Sequence, residues 1–202
     1  MKNKKILLSA ILLSLTLVGC DNTSTENQGP KTTLTEKHIS DKTQAIKNLA
    51  EIEKNTFNFS TGKKLSTSGE SIYVFFDPQC PHCNKLWQNA HDEKAKDISI
   101  VWIPVAFLNK NSLPQASTIL SAEDPAAKMA EHEDSMSSGG LGLDTVLVTS
   151  PKFVEQVNKN NAIFDSLQGR GVPLLLKVSQ SGEIIAASGE LSPDLLKEYA
   201  QK

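Results

Sequence analysis

Two cysteines in Cys80-Pro81-His82-Cys83 are the side chains of this 202-residue chain best placed to do chemistry. Thiol–disulfide exchange needs a thiolate that attacks a disulfide and a second thiol that resolves the mixed disulfide. As a staple the pair is poor, because an i, i+3 disulfide closes too short a loop to remove much unfolded-chain entropy. Its value is therefore chemical. With a helix starting at the first cysteine, Cys80 meets free backbone N–H groups and the positive end of the helix dipole. Thiolates in such settings have pKa values of roughly 3.5–7.5. Cys83, one turn further in, lies on the same face and is more buried. Cys80 is read as the attacking cysteine and Cys83 as the resolving one. His82 between them favours the thiolate and the reduced form, against the alternative of an exposed histidine that tunes nothing. Pro81 sets φ in the first turn. Asp77 reads as a cap on the preceding turn, and Trp87 as core.

The elements that hold this motif follow from the apolar pattern. Ile72–Phe76 and residues 98–107 are near-continuous apolar runs rich in β-branched and aromatic residues, as in parallel strands buried on both faces. Between them, Cys83, Leu86, Trp87 and Ala90 recur at i, i+3, i+4, i+7, an amphipathic helix over 83–96. Strand, helix and strand make a βαβ unit. Residues 57–59 read as a short strand and 61–64 as a turn. Residues 109–168 read as mostly helical, with Ala116, Ile119, Leu120 and Glu123 opening one helix. Residues 125–136 either continue it or start another, and Ser150-Pro151 starts a further one with Phe153, Val157, Phe164 and Leu167 on its buried face. Ser137 to Gly142 is a loop by composition, and no strand precedes it as a phosphate-binding loop would require. Two strands, 174–179 and 184–188, form a hairpin across Gln180-Ser181-Gly182, and Ser192-Pro193 caps a last helix. The order βαβ, helical block, ββ, α predicts an α/β thioredoxin-like fold with a helical insertion at 109–168.

The N-terminus reads as a leader. Lys2, Lys4 and Lys5 precede an apolar stretch too short to span a membrane comfortably, ending in Leu17-Val18-Gly19-Cys20. That spacing resembles a bacterial lipobox, so residues 1–19 are expected to be a lipoprotein signal peptide and Cys20 the lipidated residue; an ordinary signal peptide is the alternative. Residues 20–33 read as a flexible tether, 34–56 as a linker helix and 57–202 as the catalytic domain. Without residues 1–19, which hold three lysines and no acid, 18 basic residues stand against 23 acidic ones, a net charge of −5. This argues against nucleic acid and against a polybasic membrane patch; attachment would come from lipid on Cys20. An exported compartment permits disulfides.

From about Ala45 to Lys202 the chain resembles the catalytic domain of the periplasmic DsbC/DsbG thiol–disulfide isomerases and reductases, DsbG more so. The resemblance rests on YVFFDPQCPHCNKLW, on LPQASTILSAEDPAAKMAEHE, on Ser138-Gly139-Gly140, and on the terminal hairpin and helix. It implies that Pro173 is cis and packs beside the redox pair, and that Val172 offers backbone groups to an extended substrate. It also implies exported proteins with cysteines or disulfides as substrates, a membrane redox partner (a DsbD-like reductant or a DsbB-like oxidant) and no cofactor. The chain departs from this family in three ways. The stretch between Cys20 and Tyr73 has no room for an N-terminal dimerisation domain, so a monomer is expected. Pro81-His82 is the dipeptide of DsbA, the oxidising member of the superfamily, and Val172 also resembles DsbA.

The reading is a membrane-tethered thiol–disulfide oxidoreductase on the periplasmic face, with the inner membrane favoured by Asp21. It acts as a DsbG-like reductase or isomerase; the alternative is a DsbA-like dithiol oxidase. Two other classes remain. A copper or zinc chaperone would use Cys80 and Cys83 with a distant histidine, but His38, His91 and His132 show no paired ligand spacing, so no metal is expected. A redox-silent binding module would present an apolar groove near Pro173.

Overall fold

The computed structural model describes residues 35–36, 42–63, 70–144 and 150–202. The expected signal peptide, Cys20, the tether and His38 lie outside these residues. Six strands form one sheet in the order β1-β6-β5-β3-β4-β2: β1 (Thr35–Glu36), β2 (Phe59–Thr61), β3 (Ile72–Phe76), β4 (Ile100–Pro104), β5 (Leu174–Val178) and β6 (Ile184–Ser188). Strands β3 and β4 are parallel, with Phe76 opposite Pro104. Every other pairing is antiparallel. The helices are α1 (Lys42–Asn55), α2 (Pro81–Ala90), α3 (Ser112–Ser121), α4 (Pro125–Ser137), α5 (Pro151–Ser166) and α6 (Pro193–Gln201).

All five residues of β3 and all five of β4 are buried, because the sheet is covered on both sides. Alternation along a strand sends successive side chains to opposite faces. Ile72, Val74, Phe76, Ile100 and Trp102 join Cys83, Leu86, Trp87 and Ala90 of α2, Ile119 of α3, Met129 of α4, and Leu196 and Tyr199 of α6. Tyr73, Phe75, Val101 and Ile103 face Ala45 and Leu49 of α1 and Phe164 of α5. On the first face the indole of Trp102 lies 5.1 Å from Trp87 and 5.9 Å from Phe76, centroid to centroid. Its Nε1 donates to Thr61 Oγ1 at 2.8 Å, tying the edge strand to the core.

Several boundaries differ from the sequence expectation for local reasons. The helix expected from about residue 34 runs over Lys42–Asn55, and Thr35–Glu36 instead pairs with Ala186 and Ile185 on the open edge of β6. The strand expected at 57–59 is Phe59–Thr61, because the backbone N–H and carbonyl of Phe57 are taken by the Asn160 side chain instead of a neighbouring strand. Gly62 follows with φ +75, and a Cβ there would lie 1.9 Å from Ile98 O. Helix α2 stops at Ala90, short of 96, where Asp92 forms a turn: its carboxylate accepts from Lys94 N and its carbonyl from Ala95 and Lys96 N. The strand expected over 98–107 pairs only over Ile100–Pro104.

The described part of residues 109–168 holds three helices. Pro125 starts α4 rather than continuing α3, since the residue before proline avoids the α region; Asp124 is extended and caps α4 by accepting from Ala127 N. Asn160 of α5, fully buried, joins the insertion to the sheet. Its Oδ1 accepts from Phe57 N, and its Nδ2 donates to Phe57 O and Pro104 O, each at 2.8 Å. Trp102→Ala is expected to cost about 3–5 kcal/mol, the range for a buried aromatic truncated to alanine. Urea titration of the reduced protein measures this, and an unchanged midpoint would contradict the packing described.

Candidate active site

Strand β3 delivers Asp77, fully buried, at its C-terminal end. Its Oδ1 accepts from Gln79 N at 2.9 Å, and its Oδ2 from Phe107 N at 2.8 Å and Leu108 N at 3.0 Å. The carboxylate thus ties the turn after β3 to the loop after β4. Its backbone carbonyl accepts from Cys80 N at 2.9 Å. Cys80 is then extended (φ −93, ψ 114) as the N-cap of α2, and Pro81 opens the helix. The Cys80 carbonyl accepts from Cys83 N at 3.0 Å and Asn84 N at 3.1 Å.

Both sulfurs are free thiols, Cys80 4% exposed and Cys83 fully buried. They are electrostatically unequal. The hydrogen bond from the Cys83 thiol lowers the Cys80 pKa to about 7 against the opposing effect of burial; the N–H groups of Cys83 and His82 and the His82 charge help. Burial raises Cys83 well above the ordinary thiol range, and its bond to Cys80 adds to the shift. The charge of His82 contributes the least to the lowering at Cys80. The His82 ring is exposed, with Nδ1 2.9 Å from Glu190 Oε2, and this bond raises its pKa.

A distant segment completes the site. The Val172–Pro173 peptide is cis, and the Cys80 thiol donates to Val172 O at 3.4 Å across 92 positions of sequence. The structure therefore brings together Cys80, Pro81, Cys83, Val172 and Pro173, and turns His82 outward to Glu190.

The insertion holds this turn from the other side. His132, fully buried on α4, donates from Nε2 to Pro78 O at 2.8 Å, and its Nδ1 accepts from Leu143 N at 3.1 Å. Both ring nitrogens are engaged, so His132 is no metal ligand here. Gly142 is required beside it: its φ is +83, and a Cβ would lie 2.2 Å from the imidazole. Gln79 Nε2 donates to Gln115 Oε1 at 2.6 Å and Leu141 O at 3.0 Å, while Asn109 Nδ2 donates to Gln79 Oε1 at 3.0 Å. Asn84, the residue after Cys83, donates to the Glu133 carbonyl at 3.0 Å and to Glu133 Oε2. Among the described residues, no group of three His, Cys, Asp or Glu side chains is placed to hold a metal ion. Gln79, Asn84, Glu133, His132 as a clamp and Glu190 were not found by pattern. Glu133 alone carried a signal, an acid inside the amphipathic repeat of α4.

A cysteine pair on the first turn of the helix between parallel strands, opposite a cis proline, defines a thioredoxin-type redox fold. The family model described as a thioredoxin-like domain matches residues 60–202, and the chain belongs to that family. It is similar to two thiol:disulfide interchange proteins named DsbG. One, from Pseudomonas aeruginosa, is 25% identical over 129 residues, covering 63% of this chain and 49% of that protein. The other, from Escherichia coli, is 27% identical over 119 residues, covering 58% and 47%. The chain thus spans about half the length of the curated relatives it matches. Among solved structures, a periplasmic thioredoxin-like protein from Salmonella enterica serovar Typhimurium superposes with TM-score 0.58 at 19% identity, covering 74% of this chain and 96% of that one. The catalytic domain of Proteus mirabilis ScsC does so with TM-score 0.58 at 17% identity, covering 79% and 98%. These structural likenesses show the fold.

Two outcomes follow. Cys83→Ala removes the largest cause that lowers the Cys80 pKa, so Cys80 is expected to titrate clearly above about 7 when followed by thiolate ultraviolet absorbance. An unmoved titration would show that the helix N-terminus suffices. For His132, burial lowers the folded pKa below 6.5, so the neutral ring is the folded form. Its contribution is complete above about 6.5 and is lost as pH falls from there towards the folded pKa, because the unfolded chain binds the proton first. Urea midpoints should fall with acidification more steeply in the wild type than in His132→Gln; parallel slopes would exclude this linkage.

Proposed function

We propose that this chain is a thiol–disulfide oxidoreductase that acts through Cys80 and Cys83 on the cysteines of exported proteins. The observation that carries the reading is the inequality of the two sulfurs: Cys80 lowered to about 7 at the helix N-terminus, and Cys83 raised by burial behind it. In the reducing direction the Cys80 thiolate attacks a substrate disulfide sulfur. The substrate S–S bond breaks, a Cys80–substrate mixed disulfide forms, and one substrate thiolate leaves. Cys83 then loses its proton and attacks Cys80 Sγ. The Cys80–Cys83 disulfide forms and the second substrate thiolate is released. Two electrons pass from the pair to the substrate, and the oxidising direction is the reverse sequence. The Val172 carbonyl, held beside Cys80 Sγ by the turn at Pro173, is positioned to accept a hydrogen bond from the backbone of an extended substrate.

The similarity to DsbG supports a reductase or isomerase as the working direction. The second reading, a dithiol oxidase, draws on Pro81-His82 and on the raised pKa of His82 beside the pair. In this proposal the protein is a monomer carried on the periplasmic face of the inner membrane by lipid on Cys20, and a membrane redox partner of the DsbD or DsbB kind resets the pair.

Cys80→Ser is expected to abolish exchange, and Cys83→Ser to accumulate mixed disulfides with substrate proteins, seen as adducts on non-reducing gels that dithiothreitol removes. Absence of every adduct would count against a protein substrate. The equilibrium potential in glutathione buffers decides direction: a value near roughly −270 mV marks a reductant, and one near roughly −120 mV an oxidant.

A further inference from the structure

The exchange chemistry leaves one buried acid unused. Glu133 of α4 is 1% exposed, and its Oε1 has no hydrogen-bond partner among the described residues. Among those residues its Oε2 accepts only from the Asn84 amide, which also donates to the Glu133 carbonyl. Asn84 follows Cys83 directly, and its own N–H donates to the carbonyl of Cys80. The carboxyl is therefore wired to the first turn of the redox helix, in a dry position that penalises charge. A buried polar atom without a partner costs on the order of 1–3 kcal/mol, and more when charged. A structural role alone would be served better by glutamine, which has the same shape and no charge.

We propose that Glu133 is a proton-binding group coupled to the redox state of Cys80, protonated when the pair is reduced and ionised when it is the disulfide. This rests on the function proposed above. With a partner dithiol as reductant the step balances. Two electrons from the dithiol break the Cys80–Cys83 bond, and the partner becomes a disulfide. Of its two protons, one goes to Cys83 as the thiol and one to the Glu133 carboxylate, while Cys80 remains a thiolate. The pocket carries one negative charge before and after, on Glu133 when oxidised and on Cys80 when reduced. The low-dielectric site thus avoids holding two anions at once.

The surroundings agree. In the reduced protein Glu133 is pushed up to about 8, first by burial, with the bond from Asn84 opposing and the charges of Cys80 and Asp134 adding to the rise. Cys83 feels the Glu133 charge in turn. Disulfide formation removes the Cys80 charge, so the acid strengthens on oxidation. Of the other ionisable groups on α2, His82 is engaged by Glu190 and Lys85 is exposed. Neither α3 nor β2, which also pack against α4, carries an ionisable residue. On α4 itself, Lys128 and Glu131 pair with each other, and His132 is held between Pro78 and Leu143. Asp77 is committed to backbone N–H groups.

The test is the reduction potential of the full chain in glutathione buffers against pH, wild type beside Glu133→Gln. The two are expected to coincide in acid, where Glu133 is protonated in both states. They should diverge as pH rises towards about 8, with the wild type lower because an ionised Glu133 repels the thiolate. The reduced-minus-oxidised infrared difference spectrum should show a carboxylic acid carbonyl band that Glu133→Gln abolishes. If Glu133→Gln fails to fold, Asn84→Ala keeps the acid and loses the bond that favours its ionised form, so the break in the wild-type profile should move to higher pH. Coincident profiles with no carboxyl band, or an unmoved break in Asn84→Ala, would overturn the proposal. A chain whose cysteines do not equilibrate with glutathione at all would instead overturn the oxidoreductase reading.

Discussion

The three hydrogen bonds accepted by the Asp77 carboxylate are the constraint on which the site depends. Parallel strands β3 and β4 end side by side, but their outgoing loops run to different helices, and nothing in the ladder itself relates those loops. Asp77 relates them by accepting from Gln79 on one side and from Phe107 and Leu108 on the other. Fully buried, it can hold that position only with its acceptors satisfied. With the turn so fixed, Cys80 falls at the N-cap of α2, where the nearby N–H groups of Cys83 and His82 help to lower its pKa. The site is in this sense an outcome of where two strand ends meet.

Burial then separates two chemically identical side chains. Cys83 lies within the apolar layer of Leu86, Trp87 and Ala90 against β3 and β4, which opposes its ionisation. Cys80, at the edge of that layer, has hydrogen-bond donors that outweigh its own burial. One helical turn of depth suffices because the cost of a charge rises steeply as water is excluded. The same layer explains the position of Trp102, whose indole backs both Trp87 on the redox helix and Phe76 on the strand leading to it.

The inserted helices act on the site through polar contacts with its turn. His132 holds the Pro78 carbonyl, Gln115 and Leu141 hold the Gln79 side chain, and Glu133 holds Asn84. These contacts bracket the cysteine pair at residues 78, 79 and 84. The insertion is thus placed to influence the electrostatics of the pair, and its Leu141 side chain is 73% exposed.

What the sequence determined by itself was the part governed by apolar spacing and local backbone chemistry. Ile72–Phe76 reads as a doubly buried strand because all five side chains are apolar. Helix α2 reads from the 3–4 spacing of its buried residues, and α5 and α6 from a serine followed by proline. The order of reaction proposed for the two thiols also rests on spacing, since a helix start makes its first residue the one nearest the free N–H groups. What only the tertiary structure decided was the pairing of polar groups between elements. Glu190 meets His82 across 108 positions, and Val172 meets Cys80 across 92. His132, one of three equivalent-looking histidines, becomes a clamp on Pro78, and one acid of a charged helix, Glu133, turns inward behind the redox pair. Periodicity reports which face of an element is buried, but which polar atom finds which partner depends on the angles and offsets at which whole elements pack, and no local pattern encodes those.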